Sequence, residues 1–316
     1  MVPALLVIMD PIAQIKIHKD STFAMLLEAQ TRGWTLHYAE QRNLSQRNGR
    51  TLVQSRPLRV KDDATGWFEL ETTEGGPVDR FHVVLMRKDP PFDLDYITTT
   101  WLLDQPAANG TLIVNHPQAL RNHNEKLAAT RFPQLCPPVL VASDMAALER
   151  FVDEQGDVIL KPLDGMGGTS IFRVHPDDPN HRVILETLTH YGRRQIMAQR
   201  FIPEIRDGDK RILVIDGEAV PWGLARIPTK GGIRGNLAAG GRGVGVALND
   251  RDREIVATIA PFLCEAGILF AGLDVIGDYL TEINITSPTC IRELEAIYPL
   301  NIAGTLMDRI EQTIAA

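Results

Sequence analysis

Asp274, Glu282 and Asn284 lie within one short stretch, GLDVIGDYLTEINITSPTCIR from Gly272 to Arg292, and each offers oxygen donors. An apolar run enters at Ile268, Gly277-Asp278 supplies a turn, and Tyr279 to Ile285 returns, which is the pattern of a β-hairpin. Residues two apart on a strand share a face, so Glu282 and Asn284 project together. Asp274 depends on register: a two-residue turn sets it opposite Thr281, on the other face, whereas a longer turn or a bulge sets it opposite Glu282. We expect the longer turn or the bulge. Three oxygen donors with no nitrogen or sulfur suit a hard cation, Mg²⁺ or Mn²⁺, that keeps positions open for phosphate. A polar hairpin with a solvated face would read the same from this stretch alone.

Two glycine-rich segments elsewhere have phosphate-handling character. Asp164-Gly-Met-Gly-Gly-Thr-Ser170 lies between a strand ending in Lys161 and the run IFRV, and glycine lets backbone amides approach an anion closely. It matches neither GxxxxGK[ST] nor GxGxxG, so it suggests a flap over a nucleotide, with an ordinary glycine hairpin turn as the alternative. Pro228 to Gly245 is a long loop carrying seven glycines with Lys230, Arg234 and Arg242. Loops of this length tend to be lids, and a cationic lid would close on an anionic intermediate and exclude water.

The elements that must position these residues alternate in type. Ala4 to Met9 reads as a buried strand, Asp20 or Ser21 caps a helix running to Gly33, and Thr35 to Glu40 is a second strand. Strand, helix, strand is the opening of an open α/β sheet. Thr51 to Val60 and Trp67 to Glu71 have β character and decorate the sheet edge, followed by the turn-rich TTEGGP. HVVLM, a helix around Tyr96 to Leu103, and TLIV ending at Asn115 resume the pattern. Asp10-Pro11, Arg87-Lys-Asp-Pro-Pro91 and Asn115-His-Pro117 each follow a strand directly, so all three would face one crevice at the carboxyl ends of the strands, where cations suit an anionic small molecule.

A second unit opens with Asn124-Glu125-Lys126, then the strand Val139 to Ala142, a helix capped by Ser143 and running through Gln155, and the strand Asp157 to Pro162. Gln195 to Ile202 reads as a connector. Beyond it, Lys210 to Ile215 and Ala219 to Ile227 form a hairpin bearing Arg211 and Arg226, and a helix from Asn249 to Gly267 with Pro261 inside leads into the metal-binding hairpin. Helical stretches around Arg292 to Ile297 and from Asn301 onward close the chain. We divide it into residues 1–122, 123–202 and 203–316.

At 316 residues and 44% hydrophobic the chain can bury a large core, and a net charge of −7 argues against general nucleic-acid binding. The three cysteines are far apart and form no CxxC pair, which suggests neither a disulfide framework nor a zinc site and fits a cytoplasmic setting. MVPALLVIMDP lacks a basic leader and reads as a first strand rather than a signal peptide, and no run approaches a membrane span.

In order along the chain, Lys126, KPLDGMGG from Lys161, Asp209-Lys-Arg211, Arg226, RGNLAAGGRG from Arg234, and Asp274 with TEINITSPT from Thr281 resemble the ATP-grasp superfamily. MDPI, FAMLLEAQ and RKDPPFD extend the resemblance to bacterial glutathione synthetases over essentially the whole chain. Val244-Gly-Val246 departs from the more polar sequence expected after the lid, and His116 stands where a lysine is expected before Pro117. The resemblance implies an α/β protein: an N-terminal open α/β (pre-ATP-grasp) domain followed by a two-lobed ATP-grasp fold. It implies a homotetramer that couples ATP cleavage to joining γ-glutamylcysteine and glycine through an acyl phosphate, with two Mg²⁺ or Mn²⁺ ions.

By the same resemblance, Asp274, Glu282 and Asn284 hold metal, Lys126 and Lys161 meet phosphates, and Gly165, Gly167 and Gly168 cover them. Gln199, Ile202 and Asp209 line the adenine and ribose end. Arg211 and Arg226 meet the reacting oxygens, and Arg234 acts from the lid. Ser287, Thr289 and Arg292 sit near the glycine or peptide carboxylate, and Asp10, Ser21, Arg87 and Asn115 belong to the γ-glutamylcysteine pocket. The alternatives are a ligase of the same fold for another carboxylate and amine, or a non-catalytic ATP-binding protein.

Overall fold

The computed structural model describes residues 2–165, 167–232, 234–235, 237 and 240–315. Met166 of the expected flap and Ile233, Asn236, Ala238 and Ala239 of the expected lid lie outside the described residues.

The N-terminal region is built on β1 (Ala4–Ile8), β2 (Thr35–Ala39), β3 (Leu44–Arg47), β4 (Arg50–Val60), β5 (Phe68–Leu70), β6 (Glu74–Pro77), β7 (Val83–Met86) and β8 (Leu112–Val114). They form a sheet of order β3-β4-β2-β1-β7-β8, with β5 and β6 also paired to β4. The strands β1, β2, β7 and β8 run parallel, and β1, β7 and β8 read as unbroken apolar runs because helices cover them. Those helices are α1 (Ser21–Thr31) and α2 (Leu94–Ala108), followed by α3 (Pro117–Asn122) and α4 (Glu125–Ala129). Asp20, not Ser21, caps α1, accepting from the Phe23 amide at 2.7 Å. TTEGGP is not only a turn: Glu74–Pro77 is β6, since glycine leaves room beside Gln54 and Arg80.

The second region is a four-stranded antiparallel sheet of order β11-β10-β12-β9, formed by β9 (Val139–Ala142), β10 (Val158–Pro162), β11 (Phe172–Val174) and β12 (Ile196–Arg200). Its helices are α5 (Met145–Gln155) and α6 (His181–Thr189). The cap of α5 is Asp144 rather than Ser143, through the Ala146 amide. The segment read as a connector is β12, an inner strand whose Ile196 to Ala198 are buried between neighbours on both sides. This lobe has its own apolar core, centred on Leu148, Leu160, Leu185 and Ile196.

The third region is an antiparallel sheet of order β16-β15-β13-β17-β18, made from β13 (Asp209–Ile215), β14 (Glu218–Ala219) paired to β13, β15 (Trp222–Ile227), β16 (Arg242–Ala247), β17 (Phe270–Ile276) and β18 (Tyr279–Asn284). It is packed by α7 (Asp250–Glu265), α8 (Ile291–Ile297) and α9 (Ile302–Ala315). The expected loop therefore ends at Gly241, and Arg242 to Gly245 belong to β16. The Val244-Gly-Val246 departure has a physical reason: a Cβ at Gly245 would come within 2.5 Å of the Tyr298 ring, which itself stacks on Trp222 with centroids 4.0 Å apart. The cores of the first and third regions are continuous, with Leu6 and Met86 in one cluster with Ile212 and Leu273. The second region keeps its own core apart from this joint body.

Candidate active site

The hairpin β17–β18 presents its donors as the bulge requires. Its turn is the two-residue Gly277-Asp278, but the register shifts after Asp274, so Asp274 faces Glu282 while Val275 faces Leu280 and Thr281 is the extra residue. Asn284 donates to Asp274 Oδ2 at 3.1 Å and to the Gly272 carbonyl at 3.3 Å, which turns its amide oxygen the other way.

Two lysines meet this hairpin, one from α4, which packs on β18, and one from the second region. Lys126 follows the Asn124 cap of α4, and Lys161 lies on β10; both are buried, and both reach Glu282, at 3.5 and 3.6 Å. Lys126 also donates to the flap carbonyl of Gly165 at 2.8 Å and contacts Glu125. Burial opposes the Lys126 charge, but Glu282 and Glu125 outweigh it and hold its pKa up at about 12. Burial likewise pushes Glu282 up, yet the two lysines leave it below the usual carboxylate range. Burial and the neighbouring Glu282 raise Glu125.

A second knot of charge joins the first through Asp274. Arg211 on β13 grips Asp274 with Nε to Oδ1 at 2.6 Å and Nη2 to Oδ2 at 2.9 Å, and Arg226 on β15 reaches Oδ2 at 2.9 Å. Despite burial, the two guanidiniums hold Asp274 well below the usual range. Asp209, beside Arg226 in the ladder, receives Nη2 of Arg226 on Oδ2 at 2.5 Å. Its Oδ1 is buried with no partner among the described residues, and burial dominates there, pushing Asp209 up to about 7. Gly235 crosses over this knot where a Cβ would lie 2.3 Å from the Arg226 carbonyl, so only glycine passes. Arg234 meets the flap at the Gly168 carbonyl, 3.4 Å away.

These groups line one cavity of about 580 Å³ between the lobes, within the usual range for a small-molecule site. Of the expected residues it gathers Asp10, Lys126, Lys161, Gly165, Gly167, Gly168, Gln199, Ile202, Asp209, Arg211, Arg226, Arg234, Glu282, Asn284, Ser287 and Thr289. Asp274 lies directly behind this lining. Ile159, Ile202, Ile205 and Leu237 add apolar surface of the kind that suits a flat heterocycle.

Four expected contacts lie elsewhere. Asn115 spends its side chain on Phe270 and Ile285, with Nδ2 donating to both carbonyls at 2.7 Å and Oδ1 accepting from the Phe270 amide at 2.9 Å. Ser21 Oγ accepts from the Ile291 amide at 3.1 Å. Arg87 donates to Thr22 Oγ1 and to the Pro288 carbonyl, so it positions the Ser287–Thr289 turn from behind. Arg292 pairs with Asp62 at the surface. His116 caps α3, accepting from the Gln118 amide. Sequence reading missed Glu125, Lys16, Lys19 and Glu293, which the cavity includes.

The donor set fits a hard divalent ion, with one limit. Glu282 and Asn284 offer oxygens at the cavity wall, and the lysine contacts to Glu282 are too long to fix it. Asp274 is engaged by both arginines, and among the described residues no group of three or more His, Cys, Asp or Glu is placed to hold a metal by itself. An ion here needs oxygens from a phosphate to complete its shell.

The fold has clear counterparts among solved structures. The D-cycloserine synthetase DcsG aligns with a TM-score of 0.68 at 14% identity, covering 98% of this chain and 99% of that one. The ATP-grasp ligase PsnB bound to Mg and ADP aligns with a TM-score of 0.63 at 17% identity, covering 99% and 98%. Sheets, cleft and charged lining thus define an ATP-grasp fold. Models of the prokaryotic glutathione synthetase N-terminal domain and ATP-grasp domain match residues 4–121 and 125–299. Glutathione synthetases of Pseudomonas aeruginosa and Yersinia pestis are 57% and 54% identical over 310 residues, covering 98% of this chain and 98% and 97% of theirs. The chain belongs to the prokaryotic glutathione synthetase family, and it is an ATP-dependent, ADP-forming ligase that makes glutathione.

Proposed function

We propose that the cavity joins γ-glutamylcysteine to glycine in two displacements, carried by four buried cations, Lys126, Lys161, Arg211 and Arg226, set among the carboxylates of Glu125, Asp209, Asp274 and Glu282. The cysteinyl carboxylate attacks the γ-phosphorus of ATP, the bond to the β,γ-bridging oxygen breaks, and ADP leaves. Glycine nitrogen then attacks the acyl carbon of the resulting acyl phosphate, phosphate departs, and the ammonium protons pass to solvent. Arg211 and Arg226 neutralise the carboxylate and phosphoryl oxygens, Lys126 and Lys161 the phosphates, and the amides around Gly165, Gly167 and Gly168 cover them. Gln199 and Ile202 edge the adenine, and Asp209 Oδ1, unpartnered among the described residues, takes a ribose hydroxyl. Ser287 and Thr289 serve the glycine side, and Asp10 the dipeptide side.

Asp274, Glu282 and Asn284 would hold Mg²⁺ or Mn²⁺, two ions in the full complex, supplying neutralisation of phosphate charge. Each of these four cations is already paired with a carboxylate, so phosphates would bond to the cations while Glu282, Asn284 and Asp274 would be free to hold the metal. Arg234 and the glycine lid exclude water from the acyl phosphate. A cytoplasmic homotetramer completes the reading; all three cysteines are free, and among the described residues no helix is long and apolar enough to cross a membrane.

The test is ADP release with Mg²⁺, ATP and glycine, with and without γ-glutamylcysteine, alongside mass detection of product. ADP formed in step with glutathione only when both substrates are present is expected. ADP formed only with another acceptor would discard the substrates, and nucleotide binding without turnover would discard the ligase.

A further inference from the structure

Because the second region, Val139 to Arg200, shares no core with the joint body, its stance against that body is left to chain connections and polar contacts. Among the described residues, five side-chain contacts cross between the two. Four converge on the flap and the lysine beside it: Asn124 donates to the Leu163 carbonyl at 2.9 Å, Lys126 to the Gly165 carbonyl at 2.8 Å and Arg234 to the Gly168 carbonyl at 3.4 Å, while Lys161 pairs with Glu282 at 3.6 Å. The fifth stands apart. Arg200 Nη2 donates to the Tyr279 hydroxyl at 2.9 Å, with the guanidinium carbon 5.5 Å from the centre of that ring.

Arg200 closes β12 where the chain leaves the lobe, its amide bonded to the Pro138 carbonyl at 2.9 Å. Tyr279 opens β18 directly after the Gly277-Asp278 turn, and that turn is itself held: Arg251 Nε donates to the Asp278 carbonyl at 3.0 Å, and a Cβ at Gly277 would come within 3.2 Å of Glu204. Register ties the pair to the chemistry. In the ladder between β10 and β12, Arg200 faces Val158 and Lys161, three residues along, faces Met197; on β18, Glu282 lies three residues beyond Tyr279. Arg200–Tyr279 and Lys161–Glu282 are therefore two struts between the same elements, ~10 Å apart along the strands. Only the second is made of groups that phosphate and metal would take.

We propose that Arg200 and Tyr279 are positioning residues, a strut that sets the second lobe at the spacing where Lys161 and β18 serve one nucleotide and that persists when phosphate and metal part Lys161 from Glu282. This rests on the assignment of Lys161 to phosphate and Glu282 to metal. Without the strut the lobe samples wider settings, only part of the population is competent for ATP, and the apparent affinity falls by that fraction. Arg200 lines the cavity and Tyr279 is absent from its described lining, so the Tyr279 hydroxyl acts through Arg200.

Steady-state kinetics of Tyr279→Phe, Arg200→Met and the double variant test it, read by ADP release with γ-glutamylcysteine and glycine. Tyr279→Phe, which keeps the ring, should raise the KM for ATP about 3- to 10-fold, as for one part-buried hydrogen bond, and leave kcat and the KM for glycine at saturating ATP as in wild type. Arg200→Met should raise the KM for ATP by a similar factor, and adding Tyr279→Phe to it should change little further. An unchanged KM for ATP in Tyr279→Phe would overturn the proposal. So would a fall in kcat at constant KM, which marks a folding defect, or additive effects in the double variant, which mark Arg200 as acting on the nucleotide alone. Wild-type turnover in Glu282→Gln would instead overturn the site assignment beneath it.

Discussion

Two sets of buried polar residues occupy neighbouring regions and behave oppositely. Along the seam between the N-terminal sheet and the third region, Ser21, Arg87 and Asn115 bond to backbone groups of Ile291, Pro288, Phe270 and Ile285. In the cleft between lobes, Lys126, Lys161, Arg211 and Arg226 are met by Asp274, Glu282, Asp209 and Glu125. Backbone carbonyls cannot leave, so the seam is a permanent joint. Paired charges can change partners without leaving an ion bare, which a site that admits phosphate and metal requires. Residue type alone does not separate the two sets; the kind of partner does.

Substitutions on either side should sharpen this contrast. The largest effect expected is from Glu282→Gln, which should cut turnover by about 10³-fold or more while shifting Tm by only a few degrees, measured by ADP release and thermal denaturation. Asn115→Ala should do the reverse: losing three buried hydrogen bonds costs about 3 kcal/mol of stability, read by denaturant melts, with the KM of ATP unchanged in the folded fraction. A loss of activity in Asn115→Ala beyond its loss of folded protein would blur the distinction.

The lid should give a smaller, qualitative change. Shortening the glycine loop, or replacing Arg234 and Arg242, should raise the ratio of ADP to glutathione above one, because water reaches the acyl phosphate. Unchanged coupling in a shortened loop would remove the shielding role. Smaller still is the acid dependence of the apo protein. The pKa values of Asp274 and Glu282 are depressed from 3.8 and 4.5, so the stability they contribute is complete above those values and is lost as pH falls through the lower folded-state values. Wild-type Tm should therefore drop steeply only below about pH 4, and Asp274→Asn should flatten that limb.

Much of this contrast was legible before any coordinates. Oxygen donors at alternate strand positions called for a longer turn or a bulge, and the register after Asp274 supplies the bulge. What failed has physical reasons. Asn115 and Arg87 follow strands and Ser21 opens a helix, all in the way ligand residues do, and only partners 155 to 270 positions away reveal their structural commitment. Ile196–Arg200 is too short and evenly apolar to distinguish an inner strand from a linker, and Arg242–Ala247 hides a strand behind glycines that Tyr298 and Leu224 require. The helix His181–Thr189 has no side-chain cap to announce it. Glu293 carried no motif; what marks it is a buried oxygen with no partner among the described residues, visible only in three dimensions.

The exchange of partners in the cleft is tested most directly by the thermal shift that Mg²⁺ and ATP impose on wild type, Asn115→Ala and Glu282→Gln. A nucleotide that binds the folded state raises Tm by mass action, about 2.7 kcal/mol at a hundredfold excess over Kd. The account predicts the same increment in wild type and Asn115→Ala, and its loss in Glu282→Gln; an undiminished increment in Glu282→Gln would contradict it.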